Sequence, residues 1–442
     1  MTLSFNAEPT EIDSTPGPLL TRAGKPATSL FALDPTLRHL NHGSFGAPLA
    51  AVMVEQERFR REAAAAPVRW FPGAAERVGQ ARARVAPHLG VTPDHMALVA
   101  NASAGASAVF GSLDLPQGAE IVVTDHGYGA VTMGAERLAR RLGGRVVVAG
   151  VALDDSPEQA ASAVLDAFTD RTALVVVDHV TSPTARELPV AQICAAARER
   201  GVVSLVDAAH APMLVEGAAT LADADYWVGN LHKFGCASPG AAVLVARPGA
   251  EDRLWPLIDS WGASLPFPER FDHQGTLDIS ALITAGLALD LIEDELGWDR
   301  VRAHTAALAD AGEHLVAAAM SQATGVDCRV AVASPVTAMR LVALPAGLAL
   351  TVEEANDLRD RVLADLGIEA AFTSCRGRGY VRLSFHAYNV LDDYADFADR
   401  AVPYLLDLAR HEGDAATPTG AHGIPTASLH DRDVASAASP TT

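Results

Sequence analysis

The feature that most constrains the fold is an alternation of short apolar runs with helical segments through the middle of the chain. The apolar runs are rich in β-branched residues, and Ala, Leu, Arg and Glu recur with helical period between them. Strands that are apolar on both faces and separated by helices are typical of a mostly parallel sheet with helices on both faces. The sequence therefore predicts an α/β fold, with strands at 120–125, 145–150, 173–178, 202–207, 226–229 and 241–246.

A smaller α+β domain is predicted after this region. From about residue 298 a long Ala-rich helical stretch is followed by strands at 338–344 and 380–385, with a helix near 352–365 between them and a last helix to about residue 410. The N-terminal part of the large domain is expected to pack on the small one. The predicted organisation is a flexible segment 1–27, a large α/β domain 28–295, a small α+β domain 296–410 and a disordered tail 411–442.

Charge and cysteine content exclude several classes of partner. The formal net charge is −20, so the field of the protein repels nucleic acid and anionic membrane surfaces. The cysteines are scattered without metal-binding or disulfide-framework spacing, which favours a reducing cytoplasm and no metal site: Cys194, Cys236, Cys328 and Cys375. No export signal or membrane span is expected.

Polar residues follow the predicted strands, at the edge where open α/β folds bind their ligands. Lys233 comes after one strand, in a loop poor in charge, and the only other lysine is Lys25. Desolvation would favour its neutral, nucleophilic amine. Asp207 ends another strand and could pair with a cationic ring nitrogen, although an aspartate capping the next helix is the plainer interpretation. Together they suggest pyridoxal 5'-phosphate (PLP) chemistry, with a lysine that forms a Schiff base.

Two further positions fit such a site. Backbone N–H groups of Ser103 and Ala104, at the start of a predicted helix, could bind a phosphate, although Ser and Asn begin many helices. Arg382 lies in a predicted apolar strand, where an unpaired guanidinium would be costly, so it requires a carboxylate from the protein or from a substrate.

The motifs VVSLVDAAHAP and DADYWVGNLHKFGCASPG resemble the class V aminotransferase family of fold-type I PLP enzymes. Four more look most like its isopenicillin N epimerase-like branch: LNHGSFGAP, VVTDHGYGAV, HVTSPTARELPV and RLSFHAYN. The resemblance covers roughly residues 38–400. It implies the fold-type I PLP-dependent transferase fold, PLP as cofactor and a homodimer.

The resemblance also implies roles for individual residues. Lys233 would bind the cofactor and carry protons, Asp207 would contact the pyridine nitrogen, and His126 would stack over the ring with Tyr128 close by. Ser182 and His210 would lie near the phenolic oxygen, and Arg382 would bind the substrate carboxylate. The phosphate would be held by Ser103, Ala104, Asn230 and His232, and from the neighbouring subunit by Gly275 and Thr276.

The N-terminal region resembles segments that line the substrate mouth in this group. The candidate substrate contacts there are Asn41, His42, Ser44 and Trp70. His42 and Trp70 fit equally well as packing residues.

The reaction type stays open at this point. An epimerase or racemase is favoured by the branch, with His126 or Tyr128 as the second acid. The alternatives are a cysteine desulfurase, for which Cys375 is the candidate nucleophile, a C–S lyase, an aminotransferase of a natural-product pathway, and a binding protein that kept the fold. The substrate is expected to be a small molecule, either an amino acid or a compound that contains one.

Overall fold

The computed structural model describes residues 16–415, with side chains as far as His411. Its strands are β1 (Arg38–His39), β2 (Met96–Val99), β3 (Glu120–Thr124), β4 (Arg145–Ala149), β5 (Thr172–Asp178), β6 (Val203–Asp207), β7 (Tyr226–Asn230), β8 (Ala242–Ala246), β9 (Met339–Ala343), β10 (Ile368–Glu369), β11 (Ala371–Cys375) and β12 (Arg378–Ser384).

The helices of the same residues range from single turns to 27 residues. They are α1 (His42–Phe45), α2 (Ala50–Ala65), α3 (Pro67–Trp70), α4 (Ala74–Val85), α5 (Ala102–Ser112), α6 (Gly129–Arg141), α7 (Pro157–Asp166), α8 (Val190–Glu199), α9 (Ala218–Leu221), α10 (Glu269–Asp272), α11 (Ser280–Glu295), α12 (Trp298–Thr324), α13 (Val352–Leu366) and α14 (Leu391–Ala415). Short 3₁₀ turns occur at Ala27–Leu30, Phe71–Gly73, Ala86–Leu89, Pro93–His95 and Glu251–Arg253.

The central sheet has seven strands in the order β2-β8-β7-β6-β5-β3-β4. The strands from β7 to β4 are parallel, whereas β8 runs antiparallel to both β7 and β2. Ile121 and Val123 of β3 pack into one apolar core and Val122 into another. Because successive side chains of a strand point to opposite faces, helices cover both faces of the sheet. The predicted mostly parallel α/β architecture is confirmed.

The smaller α+β unit has a three-stranded antiparallel sheet in the order β11-β12-β9. Helices α12, α13 and α14 contribute to a separate apolar core with this sheet. Leu40, from the N-terminal region, is buried in the same core, and β1 pairs with β10. The N-terminal region therefore contacts the small unit directly.

The two chain ends differ from the expectation where the structure describes them. Residues 16–27, expected to be loose, are anchored: Leu19 and Ala27 are buried, and the Arg22 N–H donates to the Glu295 carbonyl at 2.8 Å. At the other end, α14 continues to Ala415. Residues 1–15 and 416–442 lie outside the described residues. Within residues 16–415, none of the helices combines the length and the apolar character needed to cross a bilayer.

Candidate active site

A cavity of about 260 Å³ opens at the carboxyl ends of the parallel strands β5, β6 and β7. This is the edge at which open α/β sheets bind ligands. The lining residues come from the strand ends and from the starts of the following helices and loops: Ser44, Phe45, Asn101, Ala102, Ser103, Tyr128, Asp178, Val180, Ser182, Asp207, Ala209, His210, Asn230, His232 and Lys233.

Lys233 lies just after β7 and is only 8% exposed. Its Nζ lies 3.1 Å from His210 Nε2, which itself lies 2.8 Å from the carbonyl oxygen of Gly43. Burial, and next the charge of Arg382, lower the pKa of Lys233 to about 7. About half of the amine is therefore neutral at pH 7, and the neutral form is the one that attacks an aldehyde.

The lysine loop is held from outside by the N-terminal region. Gly46 has φ of +73°, and a Cβ there would overlap the His232 carbonyl oxygen and lie 2.8 Å from the carbonyl carbon. His42 Nε2 donates to the Lys233 carbonyl at 3.0 Å. Only a glycine at position 46 allows the two backbones to approach this closely.

Asp207 ends β6 and is 2% exposed. Its Oδ1 accepts a hydrogen bond from the Ala209 N–H at 3.0 Å, whereas its Oδ2 is buried without a partner among the described residues. Burial raises the pKa of the carboxyl. A buried carboxylate oxygen without a donor fits a group that brings its own N–H, such as a pyridinium ring.

The start of α5 forms the wall expected to hold a phosphate. Asn230 Oδ1 accepts the Ala102 N–H at 2.8 Å, which ties the end of β7 to the helix. Ser103 and His232 line the cavity, as predicted from the sequence. Ala104 does not, because its N–H is capped by Asn101 Oδ1 at 2.8 Å. The expected use of the Ala104 N–H is thus corrected.

Arg382 lies on β12 and is 2% exposed, with only neutral acceptors around it. It donates to the carbonyl oxygen of Ser182, to Ser44 Oγ at 3.0 Å and to Asn41 Oδ1 at 3.2 Å, and its Nε has no partner among the described residues. Burial lowers its pKa to about 10. Ser44 and Ser182 line the cavity, so this guanidinium lies beside it and suits a bound carboxylate.

The structure corrects the expectation for His126 and keeps Tyr128. His126 is fully buried, with Nδ1 2.7 Å from Thr184 Oγ1 and Nε2 2.7 Å from the Val151 carbonyl, and it does not line the cavity. Its ring is enclosed by protein on all sides, so it offers no face to a ligand in the cavity. Tyr128, two residues later, lines the cavity and is 45% exposed.

His42 and Trp70 are packing residues rather than parts of the cavity wall. His42 is stacked on His386 with ring centroids 3.8 Å apart. Trp70 is 6% exposed, with the Arg77 guanidinium 4.1 Å over its ring. Neither lines the cavity. Of the two roles that the sequence allowed for His42 and Trp70, substrate contact or packing, both residues therefore have the packing role.

The turn at Gly275 and Thr276 is exposed and lies outside the cavity of its own chain. Thr276 instead lines a groove with Trp70. Apolar side chains beside the turn are also exposed, most of all Trp261 at 93%, together with Leu257, Ile258 and Leu277.

Cys375 lies at the end of β11 and is buried. Burial, and next the charge of Asp125, raise the pKa of its thiol. The neighbouring Arg376 donates to Asp125 Oδ2 at 2.7 and 2.9 Å and to the Val151 carbonyl at 2.9 Å, so it pairs with a carboxylate rather than with a thiolate. All four cysteines lie in the described range, and none of them lines the cavity.

Asp178 is the cavity residue that the sequence reasoning missed. It ends β5, lines the cavity and is 4% exposed. The available signal was the one that identified Asp207, a carboxylate that ends an apolar strand.

Known proteins resemble this chain over most of its length. Residues 50–395 match the profile of the family described as aminotransferase class-V. The chain is 31% identical over 307 residues to an isopenicillin N epimerase of Streptomyces clavuligerus, a match that covers 64% of this chain and 76% of that protein. It is 25% identical over 405 residues to a probable chloroplastic L-cysteine desulfhydrase of Arabidopsis thaliana, covering 83% of this chain and 82% of that one.

Among solved structures, a C-DES variant with glycine covalently linked to its PLP cofactor superposes with a TM-score of 0.73. The sequences are 18% identical, and the match covers 86% of this chain and 99% of that chain. The similarity confirms the predicted fold-type I arrangement.

Proposed function

Because the chain belongs to the class V aminotransferase family, we propose that it is an epimerase or racemase that inverts the α-carbon of an amino acid or of a substrate containing one. The chain is an enzyme, and its cofactor is pyridoxal 5'-phosphate. When bound, PLP withdraws electrons from the α-carbon of an attached amino acid and so makes the α-hydrogen acidic.

The residues that would hold the cofactor follow from the cavity. Lys233 supplies the amine for the aldehyde, and Asp207 offers its unpartnered oxygen to the ring nitrogen. Ser103 and His232 would contact the phosphate, while Asn230 fixes the start of α5. Ser182 and His210 would lie at the phenolic oxygen.

The observation that carries the proposal is that Lys233 and Tyr128, two groups able to move a proton, both line the cavity. Inversion requires that a proton leave one face of the α-carbon and return to the other. Lys233 would serve one face. Tyr128, exposed at the mouth, would serve the other in place of the buried His126.

Arg382 would fix the substrate between these two groups. A carboxylate at the cavity wall would give the buried guanidinium the anionic partner that it lacks among the described residues. Asn41 and Ser44 hold its planar fork in position, which orients the α-carbon relative to Lys233.

A persulfide-forming cysteine desulfurase is not supported, because that chemistry requires a mobile thiolate and the cavity lining contains no cysteine. A C–S lyase without a catalytic thiol is the second candidate. It is favoured by the L-cysteine desulfhydrase relatives, whose matches cover 83% of this chain against 64% for the epimerase of Streptomyces clavuligerus.

We also propose a cytoplasmic homodimer. The exposed turn at Gly275 and Thr276, surrounded by exposed Leu257, Ile258 and Trp261, would pack against a second copy. The turn would then reach the phosphate end of that copy's cavity. A net charge of −20 is consistent with an enzyme that does not bind nucleic acid.

The test is proton NMR in deuterated water, with the PLP-loaded enzyme and a panel of L-amino acids and of peptides with a free α-amino acid end. Epimerisation predicts loss of the α-proton signal and a product of mixed configuration, without keto acid. Sulfide and pyruvate from L-cysteine would instead identify a C–S lyase, and a keto acid an aminotransferase.

A further inference from the structure

Two buried carboxyl groups lie side by side where β5 and β6 end. Asp178 and Asp207 are the last residues of these strands, and their Cα atoms are partners in the parallel register. Register partners of neighbouring strands present their side chains on the same face of a sheet. Accordingly, both line the cavity, and they are only 4% and 2% exposed.

The two carboxyls have different partners. Asp207 accepts the Ala209 N–H, and its other oxygen has no partner among the described residues. Asp178 Oδ1 accepts the backbone N–H of Tyr128 at 3.3 Å. Within residues 16–415 neither group forms an ion pair with a cationic side chain. Asp178 is thus connected to Tyr128 at the mouth, whereas Asp207 keeps one oxygen without a donor among the described residues.

The charged groups around the pair do not balance two negative charges. Lys233 faces both carboxyls, and beyond it lie His210 and Arg382. At neutral pH the buried His210 contributes little positive charge and Lys233 only about half a charge, because burial lowers the pKa of both. Burial, and next the charge of Asp207, raise the pKa of Asp178 well above its usual range. Two adjacent carboxylates in such a place retain one proton between them.

We propose that Asp178 is a positioning residue that keeps its proton while Asp207 alone carries the charge facing the ring nitrogen. The inference rests on the PLP site of the proposed function. A neutral Asp178 does not compete with Asp207 for the positive ring. Its Oδ1 still accepts the backbone N–H of Tyr128 and so holds that residue at the cavity wall.

The test is the stability of the cofactor-free protein as a function of pH, compared between the wild type and Asp178→Asn. An acid whose pKa is raised on folding contributes stability that is present below its unfolded pKa and is lost as pH rises toward the folded value. The Asp178→Asn variant has no carboxyl at this position to ionise, so it does not lose this stability as pH rises. Between about pH 5 and pH 8 we expect its unfolding constant to fall relative to that of the wild type, by up to about tenfold per pH unit. A ratio that does not change with pH would overturn the proposal.

The matched control is the same comparison in an Asp207→Asn background. Without the neighbouring charge, Asp178 ionises more readily, so the pH dependence should shrink. An unchanged dependence would mean that Asp207 is not the cause. If Asp178→Asn does not fold, the infrared spectrum of the wild-type apoprotein decides the question. A protonated carboxyl band above about pH 6 supports the proposal, and its absence there overturns it.

None of these measurements uses cofactor or substrate. A failure here is therefore distinguishable from a failure to find epimerase activity.

Discussion

At the scale of single residues, the reactivity of Lys233 follows from its burial. An exposed lysine is almost entirely protonated at neutral pH, whereas burial and Arg382 lower the pKa of this one to about 7. The same burial leaves Asp207 with an unpartnered oxygen and Arg382 without a carboxylate. These groups are costly for the protein alone, and the proposed ligands would give them partners.

The uptake of PLP by the apoprotein should depend on pH through Lys233. Because only the neutral amine reacts, we expect the rate to rise about tenfold per unit below pH 7 and to level off above it. Stopped-flow absorbance would measure the rate. Lys233→Ala is the control and should show neither the visible absorbance of lysine-bound cofactor nor turnover. A rate that keeps rising toward pH 10 would indicate an ordinary lysine.

Replacing Arg382 should separate carboxylate recognition from the rest of the chemistry. For amino acid substrates, Arg382→Ala should raise KM or lower kcat/KM by roughly a hundredfold, because a charge-assisted bidentate contact is lost. Arg382→Lys should recover only part of this, since an ammonium lacks the planar fork. The corresponding amino acid amides, which have no carboxylate, serve as control substrates. Equal losses for acids and amides would contradict the role.

Much of the site could be predicted from the sequence because many of its residues lie at the ends of apolar strands. Lys233 and Asp207 were identified as polar residues that follow apolar strands and Ser103 as a residue at the start of a predicted helix, and all three line the cavity. The choice between His126 and Tyr128 could not be made from spacing. It depends on which side chain the turn after β3 directs inward, and His126 is directed toward Thr184 and the Val151 carbonyl.

At the scale of elements, the predicted strands agree with the structure to within about two residues because most of their β-branched runs are buried on both faces, the edge strand β4 being partly exposed. Four strands escaped prediction, the two-residue β1 and β10 and the longer β2 and β11. β2 has four residues, and β11 follows directly on β10 near the end of α13. β2 depends on pairing with β8, which is distant in sequence and which local pattern does not reveal, whereas β11 forms a hairpin with the adjacent β12.

The contact between Gly46 and the lysine loop should be sensitive to a single methyl group. We expect Gly46→Ala to lower the free energy of unfolding by about 3 kcal/mol or more, from left-handed backbone strain plus overlap with the His232 carbonyl, and to weaken PLP binding. Denaturant titration and cofactor occupancy would measure the two effects.

Gly249→Ala is the matched control. Gly249 also has a positive φ, +89°, but an added Cβ there meets nothing within 4 Å. Gly249→Ala should lower the free energy of unfolding by only about 1 kcal/mol and leave cofactor binding intact. Equal effects of the two substitutions would mean that the close approach at Gly46 does not matter.

At the scale of the whole molecule, the proposed dimer predicts complementation between two inactive variants. Lys233→Ala removes the lysine, and Thr276→Arg should block the turn that would reach the partner's phosphate. After subunits are mixed and reassociated at random, half of the dimers contain one of each. Each mixed dimer has one intact cavity, so about a quarter of the wild-type activity should return. No recovery would mean that each cavity is complete within one chain.

The ion pair between Arg376 and Asp125 has a consequence for the pace of turnover. Arg376 lies at the tip of the β11–β12 hairpin, Asp125 directly after β3, and Arg382 toward the other end of the hairpin. A substrate bound to Arg382 is thus held by a hairpin whose tip is joined to the large unit by this ion pair. The Arg376 side chain is 52% exposed, so dissolved salt weakens the ion pair between Arg376 and Asp125. A product-release step that separates the hairpin from the large unit should therefore become faster at higher ionic strength, whereas the bond-breaking step inside the buried cavity should not.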